Sequence, residues 1–72
     1  MVKAVVLVKS PKKFIAARLK RISSVKESFA VSGQFDAVAI IEVDVLTHIK
    51  DITIEIQKIA GVERTETMVQ VQ

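Results

Sequence analysis

Two stretches of the chain are apolar at successive positions, not only at alternate ones: Ala4–Val8 and Ala37–Ile41. A strand with apolar residues on both sides of its pleat needs cover on both faces of its sheet. Val2–Lys9 is rich in valine and free of breakers, and reads as a first strand. Ala37–Val43 reads as a second strand of the same doubly apolar kind. Val25–Ser32 alternates more cleanly, with Val25, Glu27, Phe29 and Val31 on one face and small or polar residues on the other. That is the pattern of a half-exposed edge strand. Val62–Val71 completes the set, with Thr65, Thr67, Val69 and Val71 on one face and Arg64, Glu66, Met68 and Gln70 on the other.

Two helices separate these strands. Ser10 followed by Pro11 predicts a helix start, because serine caps free N–H groups and proline suits the first helical position. This helix is expected to run to about Ile22. Pro11, Ile15, Leu19 and Ile22 then share one face, and Lys13, Ala16, Ala17, Lys20 and Arg21 the other. Asp44 or Thr47 is the expected cap of the second helix. Ile49, Ile52, Ile56 and Ile59 form its apolar stripe, and Ile54 stands on the opposite, polar side. Gly61 after Ala60 is the expected stop. The Gly33–Asp36 stretch makes a tight turn that joins the second and third strands into a hairpin.

The order is therefore βαββαβ, the ferredoxin-like α+β arrangement of a four-stranded antiparallel sheet with two helices on one face. Right-handed crossovers put strands one and three in the centre and strands two and four at the edges. The doubly apolar strands fall in the central positions, so hydrophobicity and topology agree. The sheet face without helices stays open and partly apolar. A patch of that kind is unusual on a monomer, so the expectation is a homodimer formed through it.

Composition supports that expectation. The chain has 72 residues, half of them apolar, with a mean hydropathy of +0.39. One domain of this length buries a limited core, and oligomerisation is a common remedy. Cysteine is absent, which excludes disulfides, thiolate metal sites and cysteine nucleophiles, and fits a reducing compartment. No apolar run approaches the roughly 20 residues needed to span a bilayer. A cytoplasmic location without membrane attachment is expected.

Charge adds an asymmetry. The net charge is +3, but residues 1–26 hold Lys3, Lys9, Lys12, Lys13, Arg18, Lys20, Arg21 and Lys26 and no acid. All eight acids follow, with only Lys50, Lys58 and Arg64 as further bases. A basic first helix beside an acidic second one accounts for this. A nucleic-acid face on Lys13, Lys20 and Arg21 is the alternative.

The catalytic inventory is thin. His48 is the single histidine, and asparagine, tyrosine, tryptophan and cysteine are all missing. His48 has no second histidine one turn away and reads as a solvated helix residue. The two glycines stand apart, so no phosphate loop is present. No enzyme activity, cofactor or metal site is expected. RNA-binding sheets of this topology carry aromatics on the central strands, whereas Phe14, Phe29 and Phe35 all lie outside strands one and three. The polar residues left to explain are Gly33, Asp36, Thr65 and Thr67. A glycine turn can aim backbone N–H groups at a carboxylate, an aspartate can pair with an ammonium, and threonine hydroxyls donate and accept. Together they suit a small zwitterion. Equally, Gly33 and Asp36 can simply make a hairpin, and the threonines can simply be good strand formers.

Val31-Ser32-Gly33-Gln34-Phe35-Asp36 and Gly61-Val62-Glu63-Arg64-Thr65-Glu66-Thr67 resemble the two motifs of the effector-binding (RAM) domain of Lrp/AsnC regulators. The resemblance covers essentially the whole chain, in the stand-alone form without a DNA-binding domain. It departs at Ser32, Phe35 and Ala60, where the family pattern has threonine, tyrosine and proline. The resemblance implies dimers that pair through their sheets, higher assembly, and an amino-acid effector held between subunits. Gly33, Asp36, Thr65 and Thr67 are the implied contacts, with Phe35 in the tyrosine place. It also implies a regulatory module that modulates transcription regulators, without direct DNA binding. The alternatives are a ligand-free module that co-assembles with full-length Lrp/AsnC regulators, and a nucleic-acid binder using the basic first helix.

Overall fold

The computed structural model describes residues 1–71. Its elements are β1 (Val2–Lys9), α1 (Ile15–Lys20), β2 (Val25–Ala30), β3 (Ala37–Val43), α2 (Thr47–Gln57) and β4 (Arg64–Val69). The strands form one antiparallel sheet in the order β2-β3-β1-β4. The ferredoxin-like fold is thus as expected, with the doubly apolar β1 and β3 in the centre.

The sheet has two distinct faces. Ala4, Val6 and Val8 of β1 and Ala39, Ile41 and Val43 of β3 point under the helices and are buried. Ile15 and Leu19 of α1 and Ile49 and Ile56 of α2 close over them. Ile52 and Ile59 complete the α2 stripe at half burial. Val5, Leu7, Val38 and Ile40 occupy the alternate positions of the central strands, on the face without helices, flanked by Phe29 and Met68. Phe29 is 42% exposed and Met68 48%. Ile54 is 40% exposed on the outer side of α2, where the periodicity placed it.

Several local expectations are corrected. α1 begins at Ile15, not Pro11, and Pro11 is exposed instead of sharing the buried face. Ser10 is not its cap. The Ser10 N–H donates to Asp36 Oδ2 (2.8 Å), and its Oγ accepts from the Lys12 N–H (3.1 Å), so the serine closes a local turn. Phe14 occupies the cap position without a side-chain hydrogen bond. α1 also ends at Lys20, yet the Ile22 N–H still reaches the Leu19 carbonyl (3.1 Å) and Ile22 remains buried. Neither Asp44 nor Thr47 caps α2, whose cap position is Leu46. Gly61 lies beyond the α2 cap Lys58, in a turn closed by the Val62 N–H on the Ile59 carbonyl (3.1 Å). Its φ of +93° favours glycine, and a Cβ there would have to displace the Lys12 methylenes packed against it.

The edge strand holds the largest surprise. β2 ends at Ala30, and a register shift separates Val25, opposite Ile41, from Glu27, opposite Ile40. One extra residue in β2 changes which face follows. Val25 is buried under the helices, while Glu27 and Phe29 stand on the other face, beside Ile40 and Val38. The single alternating face expected for Val25, Glu27 and Phe29 is therefore split in two.

Candidate functional site

The Gly33–Asp36 turn sits where β3 begins. Gly33 has a φ of +109°, and the Val31 N–H closes the loop on the Asp36 carbonyl (2.9 Å). Asp36 is tied to the end of β1 twice. Its N–H donates to the Val8 carbonyl (2.8 Å), and its carboxylate accepts the Ser10 N–H. Ser10 is buried, so this carboxylate satisfies a backbone donor that water does not reach. A carboxylate has about four lone-pair sites, and Ser10 occupies one. Half-buried Asp36 therefore keeps acceptor capacity for a second donor.

Phe35 meets the start of β4. The Arg64 guanidinium lies 5.1 Å from the centre of its ring, within cation–π range. The Glu63 N–H donates to the Lys9 carbonyl (2.8 Å) beside it. The end of β1, the hairpin turn and the entry to β4 thus meet at one end of the sheet.

Thr65 and Thr67 lie elsewhere. They pair with Val8 and Val6 and so share the helix-facing side of the sheet, beneath α2. Gln57 Nε2 donates to Thr65 Oγ1 (3.0 Å). Thr53 Oγ1 donates to the Ile49 carbonyl (2.9 Å) and lies 3.4 Å from Thr67 Oγ1. With the Thr53 proton given to Ile49, the proton between the two hydroxyls comes from Thr67. Thr53, Gln57 and Thr67 edge an open groove of about 480 Å³ whose other lining is Leu46, Ile49, Lys50 and Ile54.

Within one protomer the two halves stay apart. Val8 of β1 pairs with Ala37, the neighbour of Asp36, on one side and Thr65 on the other, so the Ala37 and Thr65 backbones stand two strand spacings apart, roughly 10 Å. The structure brings Phe35 to Arg64 and Asp36 to Ser10, but neither to the threonines. Ser10, Arg64, Thr53 and Gln57 are the neighbours that periodicity did not single out. The sequence reads Ser10 as a helix cap and Arg64 as a residue of the last strand, while Thr53 and Gln57 form a polar pair one helical turn apart. His48 is exposed in the first turn of α2. Among the described residues no group of three or more His, Asp or Glu side chains is placed to hold a metal ion. Among the described residues no helix is long and apolar enough to cross a membrane.

Similarity to known proteins follows this architecture. TTHA0845 from Thermus thermophilus superposes with a TM-score of 0.92 at 26% identity, over 100% of this chain and 95% of that one. The hypothetical protein PHS023 from Pyrococcus horikoshii gives 0.86 at 28% identity, over 100% and 92%. A feast or famine regulatory protein from M. tuberculosis, solved in complex with L-methionine, gives 0.84 at 22% identity. The match takes in all of this chain but 51% of that regulator, and at this identity it speaks for the fold alone. No curated protein matches in sequence. The family model of the Lrp/AsnC ligand binding domain matches residues 3–72. The chain belongs to the Lrp/AsnC ligand binding domain family.

Proposed function

We propose that this protein is a regulatory module that binds a small amino acid at an interface between its subunits, without catalysing a reaction. The observation that carries the reading is the division of its polar groups. Asp36 with the Gly33 turn stands on one side of β1 and Thr65 with Thr67 on the other, where the threonine hydroxyls face Gln57 and Thr53 under α2. A second copy can supply the missing half. In that arrangement the backbone N–H groups of the turn hold the carboxylate, Asp36 takes the ammonium, and the threonines orient the ligand. Membership in a ligand-binding family supports this assignment, and the methionine complex of the M. tuberculosis regulator supports the ligand class. Phe35 shapes the turn through Arg64 instead of offering a hydroxyl.

Assembly is part of the proposal. Val5, Leu7, Val38 and Ile40 form an apolar strip along the sheet face that carries no helix, with Phe29 and Met68 beside it. Pairing two such faces removes the strip from water at about 25 cal/mol per Å² of apolar surface. Dimers built this way leave α2 outward, and exposed Ile54 and Leu46 are the candidates for contacts between dimers. Modulation of full-length Lrp/AsnC regulators in the cytoplasm then follows by co-assembly.

The test is a calorimetric titration of the assembled protein with each common amino acid. A binder is expected whose affinity falls on substitution of Thr65 or Thr67 as well as Asp36. A binder indifferent to all three would place the site elsewhere; no binder in the panel would favour the module that co-assembles without ligand.

A further inference from the structure

The helix layer carries a feature that neither the sheet interface nor the proposed effector site uses. Because α1 starts late, Phe14 is left at its N-terminal boundary, 76% exposed, and not folded into the core. Beneath it an open groove of about 320 Å³ runs between α1 and the end of α2, with Ile15, Ile59 and Ala60 as its apolar walls. Lys12, Lys13 and Arg18 edge it. Arg18 and Ile59 also border a second groove of similar volume, whose remaining lining is Arg21, Ile22, Glu55 and Lys58. Among the described residues, Glu55 is the single acid whose side chain lines the two grooves. An exposed aromatic over an apolar hollow therefore adjoins a hollow edged by cations, with Arg18 between them.

We propose that this surface binds single-stranded nucleic acid, one base entering the first groove against Phe14 while the adjoining phosphates lie along Arg18, Arg21 and Lys58. The chemistry matches each part. A nucleobase offers a π-face to an aromatic ring, and the strand's phosphates answer a basic rim. A duplex keeps its bases stacked inside and cannot fill the first groove. A bilayer surface is favoured by apolar side chains that protrude together, whereas here the apolar walls are recessed and one ring projects. An acidic peptide would answer the cations but leave the exposed ring and its hollow without a planar partner. The helix side also stays accessible when two open sheet faces pair, so binding here is compatible with the dimer. The cations differ from those the helix periodicity offered: Lys13 and Arg21 remain, while Lys12, Arg18 and Lys58 replace Lys20.

The chain has no tryptophan, so Phe14→Trp installs a single reporter at the site. Titrating that variant with an oligothymidylate of roughly 16 nucleotides, the upper end of common single-strand site sizes, should quench its fluorescence as a base stacks on it. Anisotropy of the labelled oligonucleotide should show Phe14→Ala weakening binding by about five- to one-hundred-fold, the range for losing one stacking platform. The circular dichroism melt and the mass in solution should not change. Arg18→Ala should reduce the log–log salt dependence by about 0.7, the single-strand value for one phosphate contact. No binding at low salt, binding of an equal-length duplex or of poly-glutamate as tight as that of the oligothymidylate, or indifference to Phe14→Ala would each overturn the proposal. Phe14-dependent binding to phosphatidylserine vesicles without binding to the oligonucleotide would also overturn it, in favour of a membrane surface.

Discussion

The Arg64 guanidinium stands over the Phe35 ring at 5.1 Å and so joins the hairpin turn to the first residue of β4, across the end of β1. Cation–π contacts at exposed sites contribute about 0.5–1 kcal/mol. Arg64→Ala and Phe35→Leu should each lower stability by roughly that amount or somewhat more. The double variant should lose less than their sum, because either change alone removes the contact. Urea denaturation of all four proteins in the cycle measures the coupling, and strictly additive losses would mean the two side chains act separately.

Asp36 carries two separable roles. Asp36→Ala strands the buried Ser10 N–H and should cost about 1–3 kcal/mol. Asp36→Asn keeps an oxygen acceptor for Ser10 and should lose much less stability, yet it removes the negative charge that an amino-acid ammonium needs. Thermal melts with and without ligand separate the two effects. The Asp36→Asn variant should give a near-normal melt and a lost ligand shift; a full ligand shift in that variant would remove the carboxylate from the site.

A charge in the apolar strip should break the assembly. Leu7 and Ile40 stand on the open face of the two central strands. Leu7→Glu or Ile40→Lys is expected to move the mass by light scattering towards the 8.0 kDa of one chain. The helix-side core is untouched, so the secondary structure should persist. A wild-type mass equal to one chain at micromolar concentration would defeat the dimer.

Ile54 tests the next level. It is exposed on the outer face of α2, away from the core. Ile54→Lys should leave the dimer mass intact and eliminate larger species in analytical ultracentrifugation. An unchanged distribution would place the contact between dimers elsewhere.

The two glycines should differ in cost. Both have positive φ, so alanine is strained at each. At Gly33 no atom of the described residues lies within 4 Å of a new Cβ, whereas at Gly61 the methylenes of Lys12 must move aside. Gly33→Ala should cost about 1 kcal/mol from backbone strain alone. Gly61→Ala should cost more, and Lys12→Ala in the same chain should recover the excess. Equal losses at the two sites would show that Lys12 yields without cost.

The element order and the strand order were legible because β1 and β3 are apolar at successive positions, which only a central strand tolerates. The stripe Ile49, Ile52, Ile56 and Ile59 announced α2, and Ile54 announced its outer side. The bulge in β2 was not legible. One added residue leaves the composition unchanged, and alternation read from Val25 onward carries no mark of the slip at Lys26. Ser10 misled for a physical reason: an N–H that a distant carboxylate accepts does not need a helix behind it, and that carboxylate is 26 positions away. At the candidate site, the residue types Gly33, Phe35, Asp36, Thr65 and Thr67 stood out in the sequence. Their partners Arg64, Gln57 and Thr53 emerged only from how α2 and the turn dock on the sheet.

The slip at Lys26 makes β2 a strand that carries one residue more than its pairing uses. Faces alternate with a period of two, so the extra residue is what lets Val25 and Glu27, two positions apart, take opposite faces in phase with Ile41 and Ile40. Replacing Lys26 with another exposed side chain leaves that phase alone. Deleting it would close the bulge and leave Val25 and Glu27 as neighbours that face opposite ways, still opposite Ile41 and Ile40. Related chains should therefore vary freely in which residue stands at this position, and a gap there should be accepted with the faces of Val25, Glu27 and Phe29 unchanged.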